Sequence, residues 1–368
     1  MYLPFDSCDK VASALLAASA PHAAPLWALC VADAHGDQVP ALIDHCRAQG
    51  LRICGAIFPG LIVGEKVEKR GLIAIPLPGD SSVHLADLQR DGVQWRDEPA
   101  VLPEGPAASS LLFIDCLAPN ITALLEDLYN RYGRRLTHYG AGTGYHDLRP
   151  APSVFTEQGC FSNVALAVIS TQRMTVRVRH GWTRVAGPFV ASRTEGNVIK
   201  ELNWEPAATL YRSEVVALDP AFAERPMFPD LMSVFPLCIA KEGGEDVMRD
   251  PIGQGDGDDI VVLTDVTENS VMYLARGDRE TLIAAAVQGV DDCGAPGDVE
   301  RCFISDCYSR VLMMGEAFED ELKAVSRQLR GFTDVTPEGV LALGEVANHG
   351  DQYLELFNKT FVVALTHR

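Results

Sequence analysis

The stretch LLFIDC, Leu111–Cys116, decides the fold class of this chain. It is an apolar run that ends in an acid and a thiol, and CFISDC at Cys302–Cys307 repeats it. Short apolar runs of this kind are typical of buried strands. In α/β proteins, side chains just beyond the carboxyl end of a strand line the crevice in which ligands bind. The repeated strand end therefore predicts a chain that is built around a pocket.

A helix and a second apolar strand follow each of these stretches. After the first, Asn120 is predicted to cap an amphipathic helix that ends at Gly133. After the second, apolar residues at helical spacing run from Phe318 to Leu329 before a glycine. A shorter copy begins with LWALCVAD, which ends at Asp33. We expect an α/β fold with strand-helix-strand repeats, in which a duplicated mixed-sheet body has two halves facing a central pocket.

The strand ends of the two clearer copies carry the same residue pair. Asp115–Cys116 and Asp306–Cys307 are therefore predicted to be equivalent positions in the two halves. Between the copies, Asp278 is predicted to cap a further helix from Arg279 to Gln288.

Length and charge limit the possible functions. The chain has 368 residues, which predicts two domains, and we divide it into residues 1–205 and 206–368. With 50 acidic and 31 basic residues, the formal net charge is −19, so nucleic acids and anionic membranes are poor partners. No apolar run approaches the roughly 20 residues of a membrane helix, and the first residues do not resemble a signal peptide. We expect a cytoplasmic protein.

The cysteines predict buried thiols and one reactive candidate. Most of the 10 cysteines lie within strand or helix patterns, where free thiols behave as small apolar residues. Cys307 is the candidate for a reactive thiol, because Arg310 follows it closely and a nearby cation lowers the pKa of a thiol. A thiol-dependent enzyme is therefore one alternative function, although no GxSxG or HExxH motif supports catalysis.

A series of ordered motifs resembles the FIST family of bacterial sensory proteins. The motifs run through nearly the whole chain: LLFIDC, YGAGTG, HGW, GNVIKELNWEPA, FPLCIA, VMRDP, DCYSR, MMGEAFEDEL, LGEVANHG and LFNKTFVVAL. The resemblance implies an intracellular module that binds a small ligand and acts on a signalling protein. One branch of the family binds haem, senses nitric oxide and acts on a histidine kinase. A homodimer is compatible with this interpretation.

The candidate ligand-binding residues lie at the strand ends and in the glycine, HGW and VMRDP segments. Glycines allow a ligand to approach the backbone, and arginine is suited to a carboxylate or a zwitterion through its planar fork. The glycines follow GxGxG and lack the helix of a dinucleotide site. The predicted set is Asp115, Cys116, Gly140, Gly142, Gly144, Tyr145, His180, Trp182, Arg249, Asp250, Asp306, Cys307, Arg310 and Glu345. The competing interpretation is that the arginines form turns and ion pairs.

Haem is the candidate cofactor, and its axial ligand requires a free imidazole nitrogen facing an apolar cavity. His180, beside Trp182, and His146, beside Tyr145, are the candidate ligands. No CxxCH motif for covalent attachment is present. A third alternative function is an interaction scaffold that uses its acidic surface and binds no small molecule.

Overall fold

The structure, a computed structural model, describes residues 1–19, 25–99, 102, 108–241, 245–349 and 353–368. Its helices are α1 (Cys8–Ser19), α2 (Val39–Ala48), α3 (Ile121–Tyr132), α4 (Ala207–Leu218), α5 (Met232–Val234), α6 (Arg279–Asp291), α7 (Tyr308–Met314) and α8 (Phe318–Leu329).

Its strands alternate with the helices along the chain. They are β1 (Tyr2–Leu3), β2 (Leu26–Ala32), β3 (Arg52–Phe58), β4 (Gly60–Val63), β5 (Lys66–Glu68), β6 (Leu72–Leu77), β7 (Ser82–Gln89), β8 (Gly92–Trp95), β9 (Ala108–Asp115), β10 (Leu136–Thr143), β11 (Val154–Thr156), β12 (Gly159–Phe161), β13 (Val164–Ser170), β14 (Met174–Arg179), β15 (Thr183–Glu195), β16 (Val198–Leu202), β17 (Glu205–Pro206), β18 (Leu237–Ile239), β19 (Val247–Arg249), β20 (Pro251–Gln254), β21 (Ile260–Val262), β22 (Val271–Arg276), β23 (Val299–Cys307), β24 (Pro337–Ala342), β25 (Glu345–His349), β26 (Tyr353–Phe357) and β27 (Phe361–His367).

Three copies of one strand arrangement form the body of the protein. In each copy two parallel strands flank a helical connection, and a later strand returns antiparallel to the first strand. The copies are β2, β3 and β6; β9, β10 and β13; and β23, β24 and β27. The predicted mixed α/β fold with strand-helix-strand repeats is confirmed. The first copy, whose sequence pattern is shorter, has the same strand arrangement as the other two.

The three sheets exchange hairpins. The hairpin after each copy's second parallel strand leaves its own sheet and joins the edge of another. Thus β4 and β5 extend the third sheet, β11 and β12 extend the first, and β25 and β26 extend the second. Each sheet needs a strand from elsewhere in the chain, so the copies interlock. The domain boundary after residue 205 stays a prediction, and it falls inside β17.

Glycines at the centre of each sheet fix how the copies align. Gly55, Gly140 and Gly339 lie opposite Leu29, Leu112 and Ile304 on the neighbouring parallel strands. A Cβ at any of these glycines would overlap with the carbonyl oxygen of the residue opposite. The three glycines are therefore equivalent positions, at which only glycine fits.

The same register corrects the predicted equivalence of the strand ends. Asp115 lies three residues after Leu112, and Cys307 lies three residues after Ile304, so these two positions are equivalent. By the same count, Cys116 is equivalent to Tyr308, and Asp306 is equivalent to Ile114. The prediction that the two Asp-Cys pairs are equivalent was wrong by one residue. Because side chains alternate between the faces of a strand, this offset places the two aspartates on opposite faces of their sheets.

Each sheet has an inner face toward the common core and an outer face covered by helices. In β2, Ala28 and Cys30 join the central core with residues of all three sheets, whereas Leu29 and Val31 pack with α1 and α2. Helices α6 and α8 cover the third sheet, and α3 covers the second. Both faces of the parallel strands are thus buried, as their continuous apolar sequences require.

A fourth unit is inserted between the second and third copies. Its sheet has the order β19-β18-β22-β15-β16-β21-β20, and it packs with α4 and α5 around its own apolar core. The predicted helix after Asp278 follows as α6, and the Asp278 side chain accepts a hydrogen bond from the Thr281 amide at 2.9 Å.

Candidate functional site

A cleft of about 1440 Å³ lies between the second copy and the inserted unit. One wall comes from residues 88–91, 116–122, 125, 126, 129 and 130 and from Asn163, and the other from residues 195–197 and from Lys241, Arg249, Ile252 and residues 263–265. Residues 353–356, in β26, complete it. The walls come from both halves of the chain, but from the second copy and the inserted unit and not from two facing copies.

The cleft has a buried floor and an exposed rim. We define the cleft floor as the buried lining residues Leu88, Cys116, Ala118, Ile121, Leu125, Arg249, Thr264, Leu354 and Leu356. Most of the floor is apolar, and Arg249 is its only charged member. Of the acidic lining residues, Asp91, Glu126, Glu195 and Asp265 are exposed at the rim, and Glu355 is half-buried. A ligand that reaches the floor thus meets one cation among apolar side chains.

The cleft opens here because a short turn follows β9. Strand β9 ends at Asp115, and α3 begins only six residues later. The Asp115 carboxylate accepts hydrogen bonds from the amides of Leu117 at 3.2 Å and Asn163 at 2.7 Å. Burial raises its pKa, and these two bonds oppose that rise. Asp115 therefore holds the turn in place and does not line the cleft.

The predicted cap of α3 by the Asn120 side chain was wrong. Asn120 has a left-handed backbone with φ of 59°, and its side chain makes no capping hydrogen bond. The side-chain amide instead donates to the backbone carbonyl of Gln89. The first turn of α3 also lacks an acidic residue. Residues 120–122 line the cleft, so the positive end of the helix dipole faces it without a side-chain acceptor. The predicted end at Gly133, with φ of 52°, is confirmed.

Arg249 is 7 % exposed and its guanidinium is held by backbone carbonyls. Nε donates to Asp265 at 3.2 Å, and Nη1 donates to Met248 at 3.2 Å and Leu356 at 3.4 Å. Among the described residues, none accepts from Nη2 and no carboxylate lies at ion-pair distance. Burial lowers the pKa of Arg249, while the charges of Glu355 and Asp265 oppose that effect.

The third copy closes the corresponding strand end. Helix α7 follows β23 directly and carries Arg310, which is fully buried. Its Nε lies 3.0 Å from Asp306, its Nη2 pairs with Glu321 on α8, and its Nη1 donates to the His180 carbonyl at 2.8 Å. Arg310 and Asp306 thus form a buried ion-pair cluster inside the protein, separate from the cleft.

Cys307 and Glu345 lie beside this cluster and are also buried. Burial raises the pKa of the Cys307 thiol, and the charges of Glu345 and Asp250 raise it further. Burial and the charge of Asp306 hold the pKa of Glu345 well above its usual range. The Cys307 sulfur lies 3.2 Å from the Ser309 hydroxyl. Its environment favours the neutral thiol, which is a weak nucleophile.

The predicted glycine segment serves packing. Gly140 pairs closely with Leu112, and a Cβ at Gly142 would overlap with the Leu343 carbonyl. Gly144 has φ of 148°, and its amide donates to the Ile57 carbonyl at 2.9 Å. The Tyr145 ring packs against the guanidinium of Arg149. None of these four residues is among the described residues that line the cleft.

Asp250 and Trp182 belong to a second buried group around Lys359. Asp250 pairs with the Lys359 ammonium at 3.0 Å. That ammonium also lies 5.3 Å from the centre of the Trp182 ring, and the indole donates to the Lys359 carbonyl at 3.0 Å. Of the predicted set, the cleft therefore contains Cys116 and Arg249 alone among the described lining residues.

His180 does not fit haem. Its Nδ1 accepts from the Trp182 amide at 2.9 Å, and its Nε2 lies 2.9 Å from Glu245, so both ring nitrogens are engaged within the protein. His146 is exposed, its Nδ1 lies 2.6 Å from Asp33, and it is not among the described residues that line the cleft. No histidine lines the cleft in the part of the chain that the structure describes. Within the same residues, no group of three metal-binding side chains occurs.

Several cleft residues were not in the predicted set. Lys241, Asp265 and Tyr353 belong to irregular or edge segments, and no motif in the sequence distinguishes them. Gly196 and Asn197 are different, because they begin the GNVIKELNWEPA motif that supported the family resemblance. That motif was a usable signal for the wall opposite α3.

The fold and the cleft define an α/β protein of three interlocked copies with a cleft between the second copy and the inserted unit. The chain matches the FIST N domain over residues 27–205 and the FIST C domain over residues 207–348. It belongs to the FIST family, whose domains are associated with small-ligand sensing in signal transduction. No curated protein matches the chain. Among the described residues, none of the helices has the length and apolar character needed to span a bilayer.

Proposed function

We propose that this protein is a sensor that binds a small ligand in the cleft between the second copy and the inserted unit and passes the signal to a separate protein. The observation that carries the proposal is that the two walls of the cleft belong to different units. A ligand that contacts both walls stabilises one relative arrangement of them, which is how occupancy can reach a distant surface. The cytoplasm is the expected location.

The cleft can be blocked without disturbing the core. Leu117 lines the cleft and is 40 % exposed, so Leu117→Trp adds volume at an open position. Leu218, also 40 % exposed, ends α4 and does not line the cleft, which makes Leu218→Trp a matched control. We expect mass spectrometry to find a copurified small molecule with the natural protein and Leu218→Trp, and not with Leu117→Trp. Equal ligand content in all three proteins contradicts the proposed location.

The ligand is either haem or another small molecule, and an absorption spectrum distinguishes the two. Neither of the candidate haem ligands, His180 and His146, is among the described residues that line the cleft. A Soret band that appears on reconstitution and is lost in His146→Ala would support the nitric-oxide-sensing version. We expect no such band.

The partner is proposed to be a signalling protein such as a histidine kinase, and Trp204 is proposed as its contact. Trp204 is 73 % exposed and follows Asn203 in a turn where both residues have positive φ. It borders a shallow depression with the acidic turn at residues 256–259. Exposed tryptophans are enriched among residues that dominate binding between proteins. Trp204→Ala should abolish regulation of a candidate kinase's autophosphorylation and leave ligand content unchanged, whereas Leu218→Ala should change neither.

A further inference from the structure

We propose that the cleft floor binds an anionic group, a carboxylate or a phosphate, between Arg249 and the amino-terminal turn of α3. This inference rests on the proposed function, because it assigns a chemical class to the ligand of the same cleft. It concerns one anionic group and leaves the rest of the ligand unspecified.

The first observation is the state of Arg249. Backbone carbonyls occupy its Nε and Nη1, which fixes the orientation of the guanidinium, and Nη2 keeps donors that no described residue accepts. A guanidinium that is more than nine-tenths buried and lacks a carboxylate partner is unfavourable unless an anion completes it. A carboxylate or phosphate oxygen is the acceptor that suits this nitrogen best.

The second observation is the uncapped start of α3. Ile121 belongs to the same cleft floor as Arg249, and Asn120 and Thr122 line the cleft beside it. The helix has twelve residues, no acidic residue in its first turn and no side-chain cap. Its free amides and its dipole favour an anion at this position.

The other charges in the cleft leave this position cationic. Glu355 pairs with Lys241 at 2.7 Å, and Glu195 pairs with Lys200 at 2.8 Å. Arg90, Asp91, Glu126 and Asp265 are exposed, and solvent screens rim charges more strongly than a buried guanidinium. The charges of Glu355 and Asp265 nevertheless act on Arg249 and oppose the effect of burial on its pKa, so the site suits a single anionic group that has a hydrogen-bond donor beside it.

The test uses acetate, inorganic phosphate and acetamide as probes. Acetamide has the shape of acetate without its charge. Saturation-transfer NMR on the methyl protons of acetate and acetamide, and phosphorus line broadening for phosphate, measure binding to the full chain. We expect saturable binding of acetate or phosphate and none of acetamide, and the stronger of the two anions identifies the preferred group. Equal binding of acetate and acetamide would overturn the inference.

Two variants locate the binding. Arg249→Met removes the cation, and Thr122→Glu places a negative charge at an exposed position in the first turn of α3. Thr122→Glu should fold even if Arg249→Met does not, because an acidic residue suits a helix start. We expect at least about fivefold weaker anion binding in each, since 1 kcal/mol corresponds to about that factor.

Ala41→Glu is the matched control, because it adds the same charge to the exposed first turn of α2, another helix start without an acidic residue. It should leave anion binding unchanged. If Thr122→Glu and Ala41→Glu weaken the binding equally, the site is not at α3 and the inference fails. An uncharged copurified ligand that Leu117→Trp excludes would refute this inference and leave the proposed function standing.

Discussion

The strand ends of the second and third copies carry the same residue pair, Asp-Cys, but one opens onto a cleft and the other is closed. In the second copy a short turn follows β9 and the cleft opens beyond Asp115. In the third copy α7 follows β23 at once, and its Arg310 closes the end against Asp306 and Glu321. The difference teaches that the connection after a strand, more than the residues that end it, decides whether the strand end of a copy opens onto a cleft or packs shut.

Removal of the buried cation should have the largest effect on the closed end. Arg310→Met leaves Asp306 and Glu321 buried without their guanidinium, and breaking such a pair by deleting one partner costs about 3–5 kcal/mol. Urea unfolding measures the loss. Arg149→Met, at an exposed ion pair with Asp147, is the control and should cost less than about 1 kcal/mol. Equal losses would mean that the closed end is not held by its charges.

The central glycines test the alignment on which the comparison rests. Gly140→Ala and Gly339→Ala each place a Cβ against a backbone carbonyl that cannot move aside, and overpacking of this kind typically costs about 1–3 kcal/mol. We expect similar losses in thermal unfolding at both positions. Gly253→Ala, where a Cβ meets open space, should have little effect. Strongly unequal losses at Gly140 and Gly339 would break the proposed equivalence.

Two carboxyl groups should respond differently to conversion into amides. Asp115→Asn loses about 1–3 kcal/mol, because one oxygen cannot accept from both the Leu117 and Asn163 amides. Glu345 accepts from the Thr360 amide at 3.3 Å and its other oxygen has no hydrogen-bond partner among the described residues. Its raised pKa favours the protonated form, which Glu345→Gln imitates.

The pH dependence follows from that raised pKa. A carboxyl group whose pKa is higher in the folded state contributes stability that is fully present below its unfolded pKa and is lost as the pH rises through its folded pKa. Glu345→Gln should therefore match the natural protein near pH 4 and exceed its free energy of unfolding by about 1 kcal/mol at pH 8. Denaturant titrations at the two pH values measure this. A variant that is less stable at pH 8 would show that Glu345 is needed as an anion.

The smallest expected effect concerns the two thiols. Burial raises the pKa of both, so both should react slowly with iodoacetamide in the folded protein. Cys116, 3 % exposed, lines the cleft, whereas Cys307, 2 % exposed, immediately precedes α7 and is not among the described lining residues. Peptide mapping should find severalfold faster labelling of Cys116, and similar rates in urea. Faster labelling of Cys307 would indicate that the closed end opens readily.

Local patterns of the sequence predicted the elements of the fold well. The helix after Asp278 begins where its cap predicts, because the Asp278 side chain meets the amide three residues later without help from the rest of the chain. The cap at Asn120 failed because that side chain binds Gln89 in β7, a distant partner that no local pattern contains. Of the candidate site residues, only Cys116 and Arg249 are among the described residues that line the cleft. The sequence could not predict the others, because residues from separate units meet at the cleft only when those units pack together.

The sequence by itself determined the repeated strand-helix-strand unit, the buried thiols and the family, because apolar period, turn residues and ordered motifs are local properties. The tertiary structure decided which strand end is open. The offset of one residue between the Asp-Cys pairs depends on the register set by Gly140 and Gly339 opposite their neighbouring strands. Closure depends on where α7 places Arg310. Both are contacts between distant parts of the chain, and hydrogen bonding and packing between strands fix them only when the sheets assemble.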